Sequence, residues 1–183
     1  MVYDIFDTEG KESPEEFLKN GLGSKPFEVK GKIDASIFNK ATDEAKKWGI
    51  AISYKPLSYF NAGYITSIFS GKLEICLKEG MSIEENFTVL IHELSHLFLG
   101  HTGHNILYYQ GKDRPMELMQ RPISRTAKEL EAETISYLIS KKIGLESRSA
   151  EYIASYIKSD KDLIEFSYET VIKIADKIER LFL

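Results

Sequence analysis

The chain has 183 residues, 43% hydrophobic and 28% charged, with a formal net charge of -4 at pH 7. That length and composition fit one globular domain and exclude a polar, unstructured tail. The mild acidity, without a run of five like charges, argues against direct binding to the phosphate backbone of nucleic acid.

Residues 1–35 are punctuated by Gly10, Gly21, Gly23, Gly31, Pro14 and Pro26. They could form a flexible N-terminal extension, with one short helix starting at Ser13-Pro14. The opening stretch, "MVYDIFDTEGKESPEEF", lacks the basic-then-apolar order of a secretion signal, and no segment reaches the roughly 18 apolar residues of a membrane span. Cys76 is the single cysteine, so neither an internal disulfide nor a cysteine-based zinc cage can form within the chain. The expectation is a cytoplasmic protein.

A helix is predicted over 35–48, closed by Gly49, followed by a strand through "IAISYK" that stops before Pro56. "YITSIFSGKLEICL" (64–77) reads as two short strands about a Ser70-Gly71 turn, or as one long bent strand. Ser82 with Glu85 three residues on is a capping box that starts the next helix. After a loop with Gly103, Gly111, Pro115 and Pro122, helices are predicted over 125–143, 149–157 and 160–181, Gly144 closing the first. The fold class is α+β, a small antiparallel or mixed sheet packed against a mostly helical body. Trp48, Met116, Met119 and the apolar residues Leu163, Ile164, Val171, Ile174, Ile178 and Leu181 are expected in the core. The last helix is expected to cover the back of the preceding helices, or to supply a dimer surface.

The chemistry concentrates in "VLIHELSHLFLG" (89–100). On an α-helix His92 and His96 lie roughly 40° apart and about 6 Å along the axis, close enough for both rings to meet one ion. Phe87, Leu90, Ile91, Leu94, Leu97 and Phe98 fall on the opposite arc. In the pattern His-Glu-x-x-His two imidazoles bind zinc and the glutamate is general base toward the metal-bound water, so Glu93 is the candidate base.

Catalytic zinc normally takes three protein ligands. A third histidine at the metzincin spacing would fall at 102, but the chain has Thr102 there, and Leu99 in place of the glycine. His101 points away if the helix continues, and reads as a residue of the helix C-terminus. His104 lies in a loop and stays open. The preferred source is "RTAKELEAETISYL" (125–138), where Glu129 and Glu133 share a helix face and Glu131 lies on the opposite one. Glu129 is therefore assigned as third ligand, and Glu133 as an acceptor orienting a ligand imidazole. Ala132 and Ser136 are small enough to let this helix approach the histidine helix closely. Glu131 is expected on a solvated acidic face.

"HELSHLFLGH", followed 33 residues after His96 by "ELEAE", resembles the zincin-like metallopeptidases of the ImmA/IrrE group and the related C-terminal domain of ArdC-type antirestriction proteins. Their shared pattern is His-Glu-x-x-His, then Glu-x-x-Ala-(Asn/Asp/Glu), which Glu129, Ala132 and Glu133 match. The resemblance spans about 64–157. No helix-turn-helix domain and no clear equivalent of the basic single-strand-binding domain of the ArdC type is seen. The resemblance implies a zincin-like fold with one zinc ion per chain, and a cytoplasmic protease, often of mobile elements or stress regulons, that cleaves or inactivates a transcriptional repressor.

From the residues themselves the expectation is metal-assisted hydrolysis of a peptide bond in a protein substrate, with no membrane partner. Tyr64, His104, Tyr108, Tyr109 and Arg125 are candidate donors to the developing oxyanion. Two alternatives remain: a non-catalytic zinc-binding antirestriction or regulatory protein that binds a partner, and a metal-free helical interaction protein.

Overall fold

The computed structural model describes residues 27–68, 72–149, 153, 154, 157 and 160–182. The predicted helix at Ser13-Pro14, the Ser70-Gly71 turn and most of the predicted helix over 149–157 lie outside the described residues.

The architecture is α+β. The main sheet has three strands, β2 (Ile50–Lys55), β3 (Gly63–Ser67) and β4 (Leu73–Lys78), in the order β2-β4-β3. β4 runs parallel to β2 and antiparallel to β3, so the sheet is mixed, and 64–77 forms two strands instead of one bent one. The central strand has Leu73, Ile75, Cys76 and Leu77 all buried. An unbroken apolar run of this kind marks a strand covered on both faces.

Upstream, β1 (Val29–Lys30) precedes α1 (Ala35–Lys47), whose N-cap Asp34 accepts from the Ser36 amide. α1 packs on β2. The capping box is formed as the sequence predicts: Ser82 Oγ accepts from the Glu85 amide, and the Glu85 carboxylate accepts from the Ser82 amide. It starts α2 (Ile83–Phe98), which lies against β3 and β4 on one side and the next long helix on another. A short ribbon of β5 (Ile106–Leu107) and β6 (Met116–Glu117), not foreseen from the sequence, interrupts the following loop.

α3 (Arg125–Lys142) begins at Ser124, whose hydroxyl accepts from the Ala127 amide. Buried Ala132 and Ser136 face α2, and Ser136 Oγ donates to the Thr88 carbonyl at 3.0 Å. After α3 the chain turns at Gly144 into β7 (Glu146–Ser147), which pairs antiparallel with β1. Residues 29–30 of the expected extension are thus a paired strand.

The single last helix expected over 160–181 is two, α4 (Lys161–Ile164) and α5 (Tyr168–Glu179). The break has a cause. Ser167 is extended, its hydroxyl caps α5 by accepting from the Thr170 amide, and its own amide donates to Glu131 Oε1 at 2.8 Å. A continuous helix would commit that amide to a carbonyl four residues back. α5 covers α3 and α2 with Val171 and Ile178 buried, and Ile174 and Leu181 packed against the core. Trp48 stacks edge-on against Phe98 and Tyr109, and Met116 borders the core. Leu163, Ile164 and Met119 are not core residues: Ile164 is 77% exposed and Met119 80%. Both Leu163 and Ile164 precede the break and are not carried onto the buried face of α5. No helix among the described residues is long and apolar enough to cross a membrane.

Candidate metal centre

The site lies where α2 crosses α3. Phe87, Leu90, Ile91, Leu94, Leu97 and Phe98 are all buried, so the apolar arc of α2 fixes its rotation and leaves His92 and His96 facing α3. Glu129 meets them from the first turns of α3. His92 Nε2 is 3.1 Å from His96 Nε2 and 3.6 Å from Glu129 Oε2, and His96 Nε2 is 3.4 Å from the same oxygen. Four ligands held tetrahedrally at roughly 2.0–2.1 Å from a zinc ion stand about 3.3–3.4 Å from one another. The three observed separations scatter about that value, and the three donor atoms are within reach of one ion.

The far side of each ring is also held. His92 Nδ1 is 2.8 Å from Glu133 Oε2. That contact fixes the ring with Nε2 toward His96 and Glu129, the orienting arrangement common behind metal-binding histidines. In the protein without metal, desolvation lowers the His92 pKa, but Glu129 and Glu133 outweigh it and carry it to about 10. Glu129 is held well below the usual carboxylate range: burial raises it, and the two imidazoles more than reverse this.

Glu93 is one residue from His92 on α2 and is buried. Desolvation pushes its carboxyl up, against the opposing pull of His92, His96 and a hydrogen bond from the Ile65 backbone on β3. A carboxylate raised toward neutrality is suited to accepting and returning a proton. Glu93 borders two hollows, one opening on His92 and Glu129 and the other on all three donor residues. One, of 430 Å³, has Phe27, Val29, Ala62 and Val89 in its wall. The other, of 680 Å³, is lined by Tyr64, Ile65, Arg125 and Lys128.

Two expectations from sequence are overturned. His101 does not continue the helix: α2 ends at Leu99, Gly100 takes φ 75°, and the His101 amide donates back to the His96 carbonyl at 2.9 Å. Such a glycine-based cap reverses the chain within two residues, and the extrapolation of helical angles past it fails. The turn brings His101 Nδ1 to 3.1 Å from His96 Nδ1, with 2% of the His101 side chain exposed. Glu131 is not on a solvated face. Its side chain is fully buried, one oxygen paired with Arg121 and 3.3 Å from His101 Nε2, the other accepting from the Ser167 amide. Both had a signal in the sequence: Gly100 marks the helix end, and Ala127 and Ile135, four residues to either side of Glu131, are apolar. Burial lowers the His101 pKa, more than Glu131 raises it.

His104 stands apart from the three donor atoms, with Ser67 Oγ at 3.0 Å and Thr102 Oγ1 at 2.8 Å. Tyr109 donates to Glu44 on α1, and Tyr108 is exposed. Among the candidate oxyanion donors, Tyr64 and Arg125 line the hollow beside the site, joined by Lys128, which sequence reasoning did not single out. Comparisons of the chain with family models, with curated proteins and with solved structures return no match.

Proposed function

We propose that the chain is a zinc-dependent metallopeptidase of the zincin type, similar to the ImmA/IrrE group, that hydrolyses a peptide bond of a cytoplasmic protein such as a transcriptional repressor. The observation that carries the reading is the convergence of His92 Nε2, His96 Nε2 and Glu129 Oε2, at tetrahedral spacing, beside the buried carboxylate of Glu93. Two nitrogens and one carboxylate oxygen are the donor set of catalytic zinc, which leaves its fourth position open; structural zinc is usually closed by four ligands rich in cysteine. The lone cysteine, Cys76, is buried in β4.

His92, His96 and Glu129 would hold the ion. Zinc, when bound, supplies a Lewis acid that polarises the amide carbonyl and lowers the pKa of water. Glu93 takes the proton from the attacking water at its carboxylate and delivers it to the leaving amine nitrogen, so the C–N bond breaks and an acid and an amine are released. Tyr64 and Arg125, which line the hollow beside the site, are the candidate donors to the oxygen on which negative charge develops. The apolar wall of Phe27, Val29, Ala62 and Val89 supports a substrate with an aliphatic or aromatic side chain next to the scissile bond.

The test is a proteome-derived peptide library incubated with zinc-loaded protein and read by mass spectrometry. Wild type is expected to generate new termini, while Glu93→Gln retains one zinc per chain and generates none. Cleavage by Glu93→Gln at the wild-type rate would remove Glu93 as the base. Wild type that binds zinc and cleaves nothing would favour a non-catalytic zinc-binding regulator.

A further inference from the structure

We propose that His101, set against the buried carboxylate of Glu131, is a positioning residue for His96: it accepts the hydrogen bond from His96 Nδ1 and thereby aims Nε2 at the metal. The inference rests on the functional reading above, because it assigns the proton on His96 from that ring's role as a ligand.

The argument is one of proton placement. His96 Nδ1 and His101 Nδ1 are 3.1 Å apart, so one must donate and the other accept. His96 Nε2 faces His92 Nε2 and Glu129 Oε2, and a nitrogen that binds metal carries no proton. The His96 proton therefore sits on Nδ1, and His101 Nδ1 is the acceptor. His101 must then carry its own proton on Nε2, the atom 3.3 Å from Glu131 Oε2. The opposite assignment would set a nitrogen lone pair against a buried carboxylate.

Glu131 is built to hold this tautomer. Its carboxylate is fully buried and is met by the Arg121 guanidinium, the Ser167 amide and the His101 ring. A buried carboxylate without such partners is costly; Arg121 balances its charge, and His101 Nε2, 3.3 Å from Oε2, is the ring atom nearest to it. Thus each ligand histidine is backed by a carboxylate, His92 directly by Glu133 and His96 through one intervening imidazole. Partners of this kind orient the ring and raise its basicity as a ligand.

The probe is zinc alone, with affinity read by competition against a chromophoric chelator. His101→Leu removes the acceptor and is expected to weaken zinc binding about 10- to 100-fold, the usual effect of losing such a partner. His101→Asn, whose Oδ1 stands near the place of Nδ1, is expected to stay close to wild type. Equal affinity of His101→Leu and wild type would overturn the inference while leaving the metal site standing; no zinc uptake by wild type would overturn the site and the inference together. If His101→Leu does not fold, the side-chain ¹H–¹⁵N spectrum of zinc-loaded wild type decides. It should show the proton of His96 on Nδ1 and that of His101 on Nε2, and a proton on His101 Nδ1 would refute the assignment.

Discussion

Ser136 Oγ donates to the Thr88 carbonyl at 3.0 Å, and this contact between α3 and α2 lies two turns along α3 from Glu129. Only a small side chain lets the helices approach this closely. Ser136→Leu adds carbon atoms to a site that is already buried, an overpacking that typically costs about 1–3 kcal/mol. The helices must separate to admit it, carrying Glu129 away from His92 and His96. Both the denaturation midpoint and zinc affinity are expected to fall, measured by urea unfolding and chelator competition. Unchanged zinc affinity in a destabilised variant would show that Glu129 is positioned independently of the helix spacing.

The pH dependence of the site follows from His92. Without metal, Glu129 and Glu133 outweigh desolvation and raise its pKa from 6.5 to about 10. The folded protein holds that proton more tightly than the unfolded chain. The resulting stability is fully present below the unfolded value and is lost as pH rises through the folded one. Near pH 8 the ring is therefore charged without metal and must release its proton to become a ligand. Zinc uptake is expected to release one proton from His92, with apparent affinity rising roughly tenfold per pH unit below the folded pKa. Titration calorimetry in buffers of different ionisation enthalpy counts that proton, and an unchanged observed heat across buffers would contradict the prediction.

Gly100 has φ 75°, and a Cβ built on it would lie 2.6 Å from the Met119 carbonyl oxygen. Gly100→Ala meets both a left-handed backbone and a clash with main chain. The first alone costs about 1–2 kcal/mol. Relief requires the turn after α2 to reopen, which withdraws His101 from His96. The expected outcome is lower thermal stability together with weaker zinc binding, whereas Gly103→Ala, also at positive φ but with open space around its Cβ, should affect stability alone. Equal zinc affinity in the two variants would separate the turn from the site.

The elements that were legible in the sequence are those whose determinants are local. The Ser82–Glu85 box and the apolar arc of α2 specify a helix and its rotation without reference to the rest of the chain. Given that rotation, His92, His96, Glu129 and Glu133 come together as their spacing implies, because each pair repeats at four residues and so shares one side of its helix. What the sequence hid depends on distant partners. Apolar Ala127 and Ile135 hint that Glu131 is buried, but the partners that satisfy its charge, Arg121, His101 and Ser167, reach it from a loop, a turn and a helix start. The break before α5 was hidden for the same reason: nothing near Ser167 in the sequence says that its amide is claimed by a carboxylate 36 residues upstream.

That amide links regions with no ligand in common. When α5 opens locally, Glu131 loses one of its donors, and the His101–His96 contact behind it loosens. Opening of the C-terminal segment and release of a bound ion are then expected to be steps of one cooperative unit. Zinc bound to the closed form alone is expected to slow amide hydrogen exchange at Ser167 and through the first turn of α5. The chain's last helix, which contributes no donor atom to the triad, thereby becomes a reporter of whether the site is filled.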